Sequence, residues 1–130
     1  MEDAIYALLT SYPALTAIVG TNVWWYDHEQ GSGLPSITLT KVSAVRGYVM
    51  SGPDRLAQSR VQFDCDSRTR TQALAIRDAL LNCLSGYSGT VAGVEIQGIF
   101  AEHERFEFDN TNTDQEINRV SMDFSITHKE

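Results

Sequence analysis

The segment Glu102-His103-Glu104 is the part of the sequence that most resembles a metal site. A catalytic zinc ion needs three protein ligands that converge on one point. Successive side chains of a strand point to opposite faces, so we expect His103 to share a face with neither glutamate. The other two histidines, His28 and His128, lie far from this segment in the sequence. The sequence therefore predicts no metal site, and no other cofactor.

Two pairs of carboxylates have the spacing of a possible acid–base site. Glu102 and Glu104, like Asp64 and Asp66, are two residues apart on strand-like segments and should share a face. Paired carboxylates can serve as general acid and base, but such spacing is also typical of a charged solvent face. Neither a Gly-x-Ser-x-Gly elbow nor a glycine-rich phosphate loop is present in the sequence. We therefore predict no catalytic residues and a protein that is not an enzyme, with a small enzyme or ligand-binding domain as the alternative.

The sulfur and indole side chains have a structural and a functional interpretation. Two cysteines are too few for a disulfide scaffold, and Cys65 and Cys83 occupy apolar positions of a strand and a helix. We expect both to be buried, and a reactive or bridged pair is the alternative. Of Trp24 and Trp25, we expect one to point inward and one to cover the adjoining surface, with a binding platform as the alternative.

Helix signals occur in two regions. The first helix should end before Pro13, because proline disfavours helix at the residue that precedes it. A second short turn should start at Pro13 and end at Gly20. The clearest helix has its apolar stripe over Ala73–Leu84 and ends at Gly86. Its candidate N-terminal caps are Asp66, Ser67 and Thr69.

Alternation of apolar and polar residues predicts the strands. They are Val23–Tyr26, Ser36–Thr40, Arg60–Cys65, Val94–Phe100 and Arg119–Thr127. The resulting order, α-β-β-β-α-β-β, indicates a single α+β domain over residues 1–130. We expect one mostly antiparallel sheet of four to five strands with two main helices packed on it.

Two connecting segments lie outside the predicted helices and strands. Residues 102–116 should form a variable acidic loop. Residues 42–59 are too long for a tight hairpin and more apolar than a free loop, which predicts a protruding hairpin arm with its tip at 51–54. Tyr, Met and Arg are enriched at interfaces. The arm therefore predicts a partner or ring interface, with packing on its own sheet as the alternative. The candidate interface residues of the arm are Arg46, Tyr48, Met50, Arg55 and Leu56.

Charge is distributed unevenly along the chain. The formal total is −7, with −4 in residues 1–40, +4 in 41–77, −2 in 78–100 and −5 in 101–130. The basic segment could meet an acidic segment of a second copy, or the segments could interleave within one copy and cancel. The acidic total argues against a general nucleic-acid binder. No stretch approaches the roughly 18 apolar residues of a membrane span, so we expect no membrane contact.

Several blocks of sequence carry a family resemblance. The blocks are Met1–Leu9, Leu15–Gly20, Leu34–Leu39, Ser59–Cys65, Ala73–Leu84, Gly93–Gly98 and Arg119–Phe124. In their order and spacing they resemble the tail-completion proteins of long-tailed bacteriophages, also called tail terminators or tail-to-head joining proteins. Related forms occur in prophages and gene transfer agents.

The resemblance implies a structural virion protein at the tail–head junction, present in the host cytoplasm during assembly. It implies a ring, usually a hexamer, that caps the completed tail tube, stops polymerisation of the tube protein and joins the connector or stopper protein of the head. DNA would pass through the lumen without sequence-specific binding. A different neck component, such as a head-completion or stopper protein, is the alternative.

Overall fold

Three helices and six strands follow one another in the described part of a computed structural model of the protein. The structure describes residues 2–20, 22–26, 35–50, 52–109 and 117–129, with backbone only at 48, 49, 53–55, 108 and 109. The helices are α1 (Glu2–Thr10), α2 (Pro13–Val19) and α3 (Arg70–Leu84). The strands are β1 (Val23–Trp25), β2 (Ser36–Val49), β3 (Gly52–Ser67), β4 (Gly89–Val91), β5 (Val94–Asp109) and β6 (Ile117–Lys129).

The helix boundaries follow from their cap residues. Tyr12 is extended ahead of Pro13, which occupies the first turn of α2, and Gly20 ends that helix at φ 60°. The Thr69 side chain accepts a hydrogen bond from the Gln72 backbone N–H at 3.2 Å and caps α3. The predicted breaks at Pro13 and Gly20 are confirmed, and Thr69 is the cap.

The strands form one sheet in the order β1-β2-β3-β6-β5-β4. β1 is parallel to β2, and the other neighbouring strands are antiparallel. The α+β class is confirmed. The predicted four to five antiparallel strands are wrong in number, because β4 has only three residues around a turn and gives little alternation. The short second helix, α2, completes a set of three.

The position of the arm's tip and the extent of the acidic loop differ from the prediction. β2 and β3 pair continuously from Ser36↔Asp66 to Val49↔Gly52, so most of the predicted tip at 51–54 lies within β3. Bulges between Lys41 and Ser43 and between Arg46 and Tyr48 shift the alternation and hide the strand from pattern reading. β5 continues to residue 109, which restricts the predicted 102–116 loop to 110–116, outside the described residues.

The helices pack on one face of the sheet. At its centre Phe63 of β3 meets Phe124 of β6 edge-on, with ring centroids 5.1 Å apart, and both side chains are fully buried. α1 and α2 contribute Ile5 and Leu15, and α3 contributes Leu80. Across the described residues, no helix is long and apolar enough to cross a membrane.

The opposite face of the sheet has no helix on it among the described elements, and we call it the open face. Cross-strand partners share a face, so the register identifies its members. They include Thr38, Thr40, Ser43, Val45, Gln58, Arg60, Gln62, Asp64, Asp66, Arg119, Ser121, Asp123, Ser125, Thr127, Phe100, His103, Arg105 and Glu107.

Candidate interaction surfaces

The carboxylates of β3 on the open face are held by neighbouring strands. Arg119 of β6 donates to Asp66 through Nε at 2.7 Å and Nη2 at 3.3 Å. The hydrogen bond to Asp66 raises the pKa of Arg119, against the opposing effect of burial. Asp64 accepts from Ser121 Oγ at 2.7 Å and from Gln62 Nε2 at 3.0 Å. Asp64 and Asp66 share a face as predicted, and both are engaged as structural acceptors.

A bulge in β5 separates the second carboxylate pair. The register shifts between Ala101 and His103, so Glu102 turns to the open face and contacts Arg60 at 2.5 Å. Glu104 lies on the helix face, 3.2 Å from Nη1 of Arg77 in α3. The prediction that Glu102 and Glu104 share a face is therefore wrong.

The same bulge changes the expected surroundings of His103. His103 pairs with Asp123 on the open face, the face that also holds Glu102, so the expectation that it shares a face with neither glutamate is wrong. Within the described ranges, no group of three His, Cys, Asp or Glu side chains is placed to hold a metal ion.

The cysteines occupy the core. Cys65 and Cys83 are both buried and free, as the sequence predicts. Burial raises the pKa of the Cys83 thiol to about 11. Burial, with the nearby Asp66 and Asp64 carboxylates, raises the pKa of Cys65 well above its ordinary value. Such thiols are poor nucleophiles, which supports the structural interpretation.

The adjacent aromatic residues of β1 are partly buried. Trp25 packs against the core, and Trp24 is half-buried. Tyr26, which follows them, is 50% exposed and its ring centroid lies 5.7 Å from that of Trp25. One tryptophan thus packs inward against the core, as the sequence predicts.

The predicted interface residues lie at the far end of the β2–β3 hairpin. β6 ends at Lys129, which pairs with Leu56, so beyond this row β2 and β3 continue as two strands in the described residues. We call residues 47–55 the hairpin tip. Met50 lies at its apex with a fully exposed side chain (108%). Arg46 and Leu56 lie at its base, while the side chains of Tyr48 and Arg55 lie outside the described part.

The basic middle of the sequence is partly neutralised within the chain. Lys41 lies 3.2 Å from Glu2 of α1. Arg60 and Arg77 pair with the two glutamates of β5 named above. Basic and acidic segments therefore interleave within one copy, which favours cancellation of charge for these residues.

The comparison with known families decides which class of protein this is. The model of the family described as "Tail completion protein gp17" matches residues 3–129. The chain belongs to this tail completion family. The resemblance read from its sequence blocks is thereby confirmed.

Solved structures agree with the fold of this tail completion protein. It is similar to a chain in a structure titled "Virion of native gene transfer agent (GTA) particle", with a TM-score of 0.82 and 15% identity. The alignment covers 100% of this chain and 95% of that chain. The search of curated proteins finds no match. A tail-protein family agrees with the expectation of a structural protein rather than an enzyme.

Proposed function

We propose that this tail completion protein forms a ring that caps the completed tail tube. The ring stops polymerisation of the tube protein and joins the tail to the connector or stopper protein of the head. It resides at the tail–head junction of the virion and assembles in the host cytoplasm. The observation that carries the proposal is the family match over residues 3–129.

The hairpin tip is the proposed contact with the next component along the tail. Strands that run along the ring axis would direct the end of the hairpin toward the tube or the connector. A fully exposed Met50 at such an end supports this assignment, since methionine and arginine are enriched at interfaces. The proposed contact residues are Arg46, Tyr48, Met50, Arg55 and Leu56.

The charge balance supports passage of DNA without retention. The total of −7 and the acidic residues of the open face repel phosphate. The arginines of that face are paired, as in Arg119 with Asp66 and Arg60 with Glu102. DNA would therefore move through the lumen without sequence-specific contacts.

Deletion of the gene in the parent phage or particle tests the proposal. Loss of a tail terminator should give overlong or headless tails, and the intact gene supplied in trans should restore normal length. Normal virions after deletion would contradict the proposal. Heads that leak DNA beside tails of normal length would instead identify another neck component.

A further inference from the structure

The outer edge of β2 is open over most of its length. β1 pairs with β2 at only three positions, Ile37, Thr38 and Leu39. From Thr40 to Val49, no described strand lies on that side of β2. Among the described strands, ten consecutive residues of this sheet edge therefore have no ladder partner.

The outer edge of β5 is open over a similar length on the other side of the sheet. β4 pairs with β5 only over residues 94–96, and the Gly86 N–H donates to the Ile99 carbonyl at 2.8 Å. Beyond that point, from Phe100 to Asp109, no strand in the described ranges borders this side. This segment also has ten residues.

Open edges of this length are templates for strand addition by another chain. Neither segment contains proline, which would block a ladder. Each carries exposed apolar side chains: Val42 and Val45 on β2 are 54% and 66% exposed, and Phe100 and Phe106 on β5 are 59% and 42% exposed. A single copy therefore presents two surfaces that a partner strand would cover.

We propose that these two edges pair with each other between neighbouring copies of the chain. β2, β3, β6 and β5 are antiparallel in succession, so β5 runs opposite to β2. Rotation about a ring axis preserves strand direction relative to that axis. The β2 edge of one copy then meets the β5 edge of the next as an antiparallel ladder, and a contact between two different patches is the kind that closes a ring.

The pairing requires a stagger that tilted strands supply. Lys41 lies in the same row of the sheet as Ala101, and from that row the two open segments extend toward opposite ends. A tilt of about 40° across four strands about 4.8 Å apart displaces the edges by about 16 Å, or about five residues. The stagger must also be an even number of rows, because a slip of one residue would turn every side chain of the added strand to the opposite face of the sheet. Of the two even staggers nearest to five, four and six rows, the smaller places Val45 near His103 and Ser43 near Arg105.

The charges of the two edges are opposite. Residues 40–49 contain Lys41 and Arg46 and no acid. Residues 100–109 contain four acids and Arg105, for a net charge of −3 with His103 neutral. The acids are Glu102, Glu104, Glu107 and Asp109. Lys41, Arg105 and three of the four acids pair within the copy, so the complementarity acts mainly in steering and orienting the encounter.

This inference rests on the proposed ring, and thiol cross-linking separates the two. The test variant carries Ser43→Cys and Arg105→Cys, both on the open face. The matched control carries Ser43→Cys and Glu104→Cys, which lie on opposite faces. The native cysteines are buried and can remain. Mass in solution is measured before a short bis-maleimide is added.

We expect the test variant to give a ladder of covalent species that ends at the copy number of the ring. The control should give at least several-fold less linkage, and a mixture of the two single variants should stop at linked dimers. A ring of full mass without linkage would overturn edge pairing and leave the ring intact. A monomer without linkage would overturn both, and equal linkage in test and control would overturn the assigned faces.

Hydrogen exchange on the unmodified protein provides a second measurement that needs no substitution. In the assembled form, outward amides of residues 40–49 and 100–109 should be protected relative to the dissociated form. Exchange that is equally fast in both forms would overturn the proposed ladder. Protection confined to residues 50–55, the part of the hairpin tip outside the ladder, would also contradict it.

Discussion

Arg119 of β6 donates two hydrogen bonds to Asp66 of β3, from Nε at 2.7 Å and from Nη2 at 3.3 Å. The Asp66 side chain is only 11% exposed. This ion pair links the two central strands, β3 and β6, at the end of the sheet opposite the hairpin tip. Its loss would leave a carboxylate with little access to water.

Substitution Arg119→Met should lower the free energy of unfolding by about 1–3 kcal/mol, because Asp66 then stays nearly buried without its cation. Arg105→Met is the matched control, since Arg105 is 68% exposed and pairs with an accessible Glu107. The control should cost at most about 0.5 kcal/mol. Urea unfolding followed by circular dichroism measures both, and equal losses would contradict the assignment.

Substitution Phe124→Ala should remove about 3–5 kcal/mol from the free energy of unfolding. Phe124 is fully buried and meets Phe63 edge-on, so truncation leaves a cavity and removes an aromatic contact. Phe100→Ala, at an exposed aromatic of β5, should cost under about 1 kcal/mol. Equal urea midpoints for the two variants would contradict a core centred on Phe63 and Phe124.

Alkaline pH should destabilise the protein through its buried thiols. Unfolded cysteines ionise near their ordinary pKa of 9.0, whereas burial holds the pKa of Cys83 at about 11 in the folded chain. The unfolded state therefore loses protons first, and the free energy of unfolding falls as pH rises between these values. Unfolding curves at about pH 8 and about pH 10 measure the slope. Cys83→Ala should flatten it, and an unchanged slope would refute this cause.

Removal of the α3 cap should weaken that helix. Thr69→Ala deletes the acceptor for the Gln72 N–H and should cost about 0.5–2 kcal/mol. Thr71→Ala, at an exposed position in the first turn of the same helix, should be neutral or slightly stabilising. Thermal unfolding distinguishes the two, and a larger loss for Thr71→Ala would contradict the capping geometry.

A charge at the apex of the hairpin tip should weaken attachment to the tail tube and leave the fold intact. Met50→Asp places a carboxylate at the fully exposed apex and should reduce binding to purified tube ends at least about tenfold. Tyr6→Asp, on α1 and 40% exposed, is the control and should bind like the parent chain. Unchanged binding by Met50→Asp would remove the tip from the proposed contact.

Elements that begin at a proline or a capping residue, or that alternate regularly, could be predicted from the sequence. Pro13 and Thr69 determine helix starts through their own backbone and side-chain chemistry, and β6 shows unbroken alternation into the core. β4 could not be predicted, because a strand of three residues is too short to show an alternation. The parallel pairing of β1 with β2 depends on long-range packing that no short pattern encodes.

The sequence could not place the surfaces of β2 and β5, because bulges interrupt the period of two on which strand reading depends. At the bulge between Ala101 and His103 the alternation of β5 is interrupted, so the sequence from Glu102 onward indicates an acidic loop instead of a strand. The bulges beyond Lys41 interrupt the alternation of β2 in the same way, so the sequence indicates an arm instead of a continuous strand. The composition of the hairpin tip indicates an interface. The length of the tip and the open strand edges can be recognised only from the register of the paired strands.

The ring itself is tested most directly by imaging and weighing the purified protein. Electron-microscopy class averages, together with mass in solution, should show a closed ring of identical copies. Mixed with tail tubes, the same ring should sit on one tube end and halt further addition of tube protein. A protein that remains strictly monomeric and never binds tube ends would contradict the account.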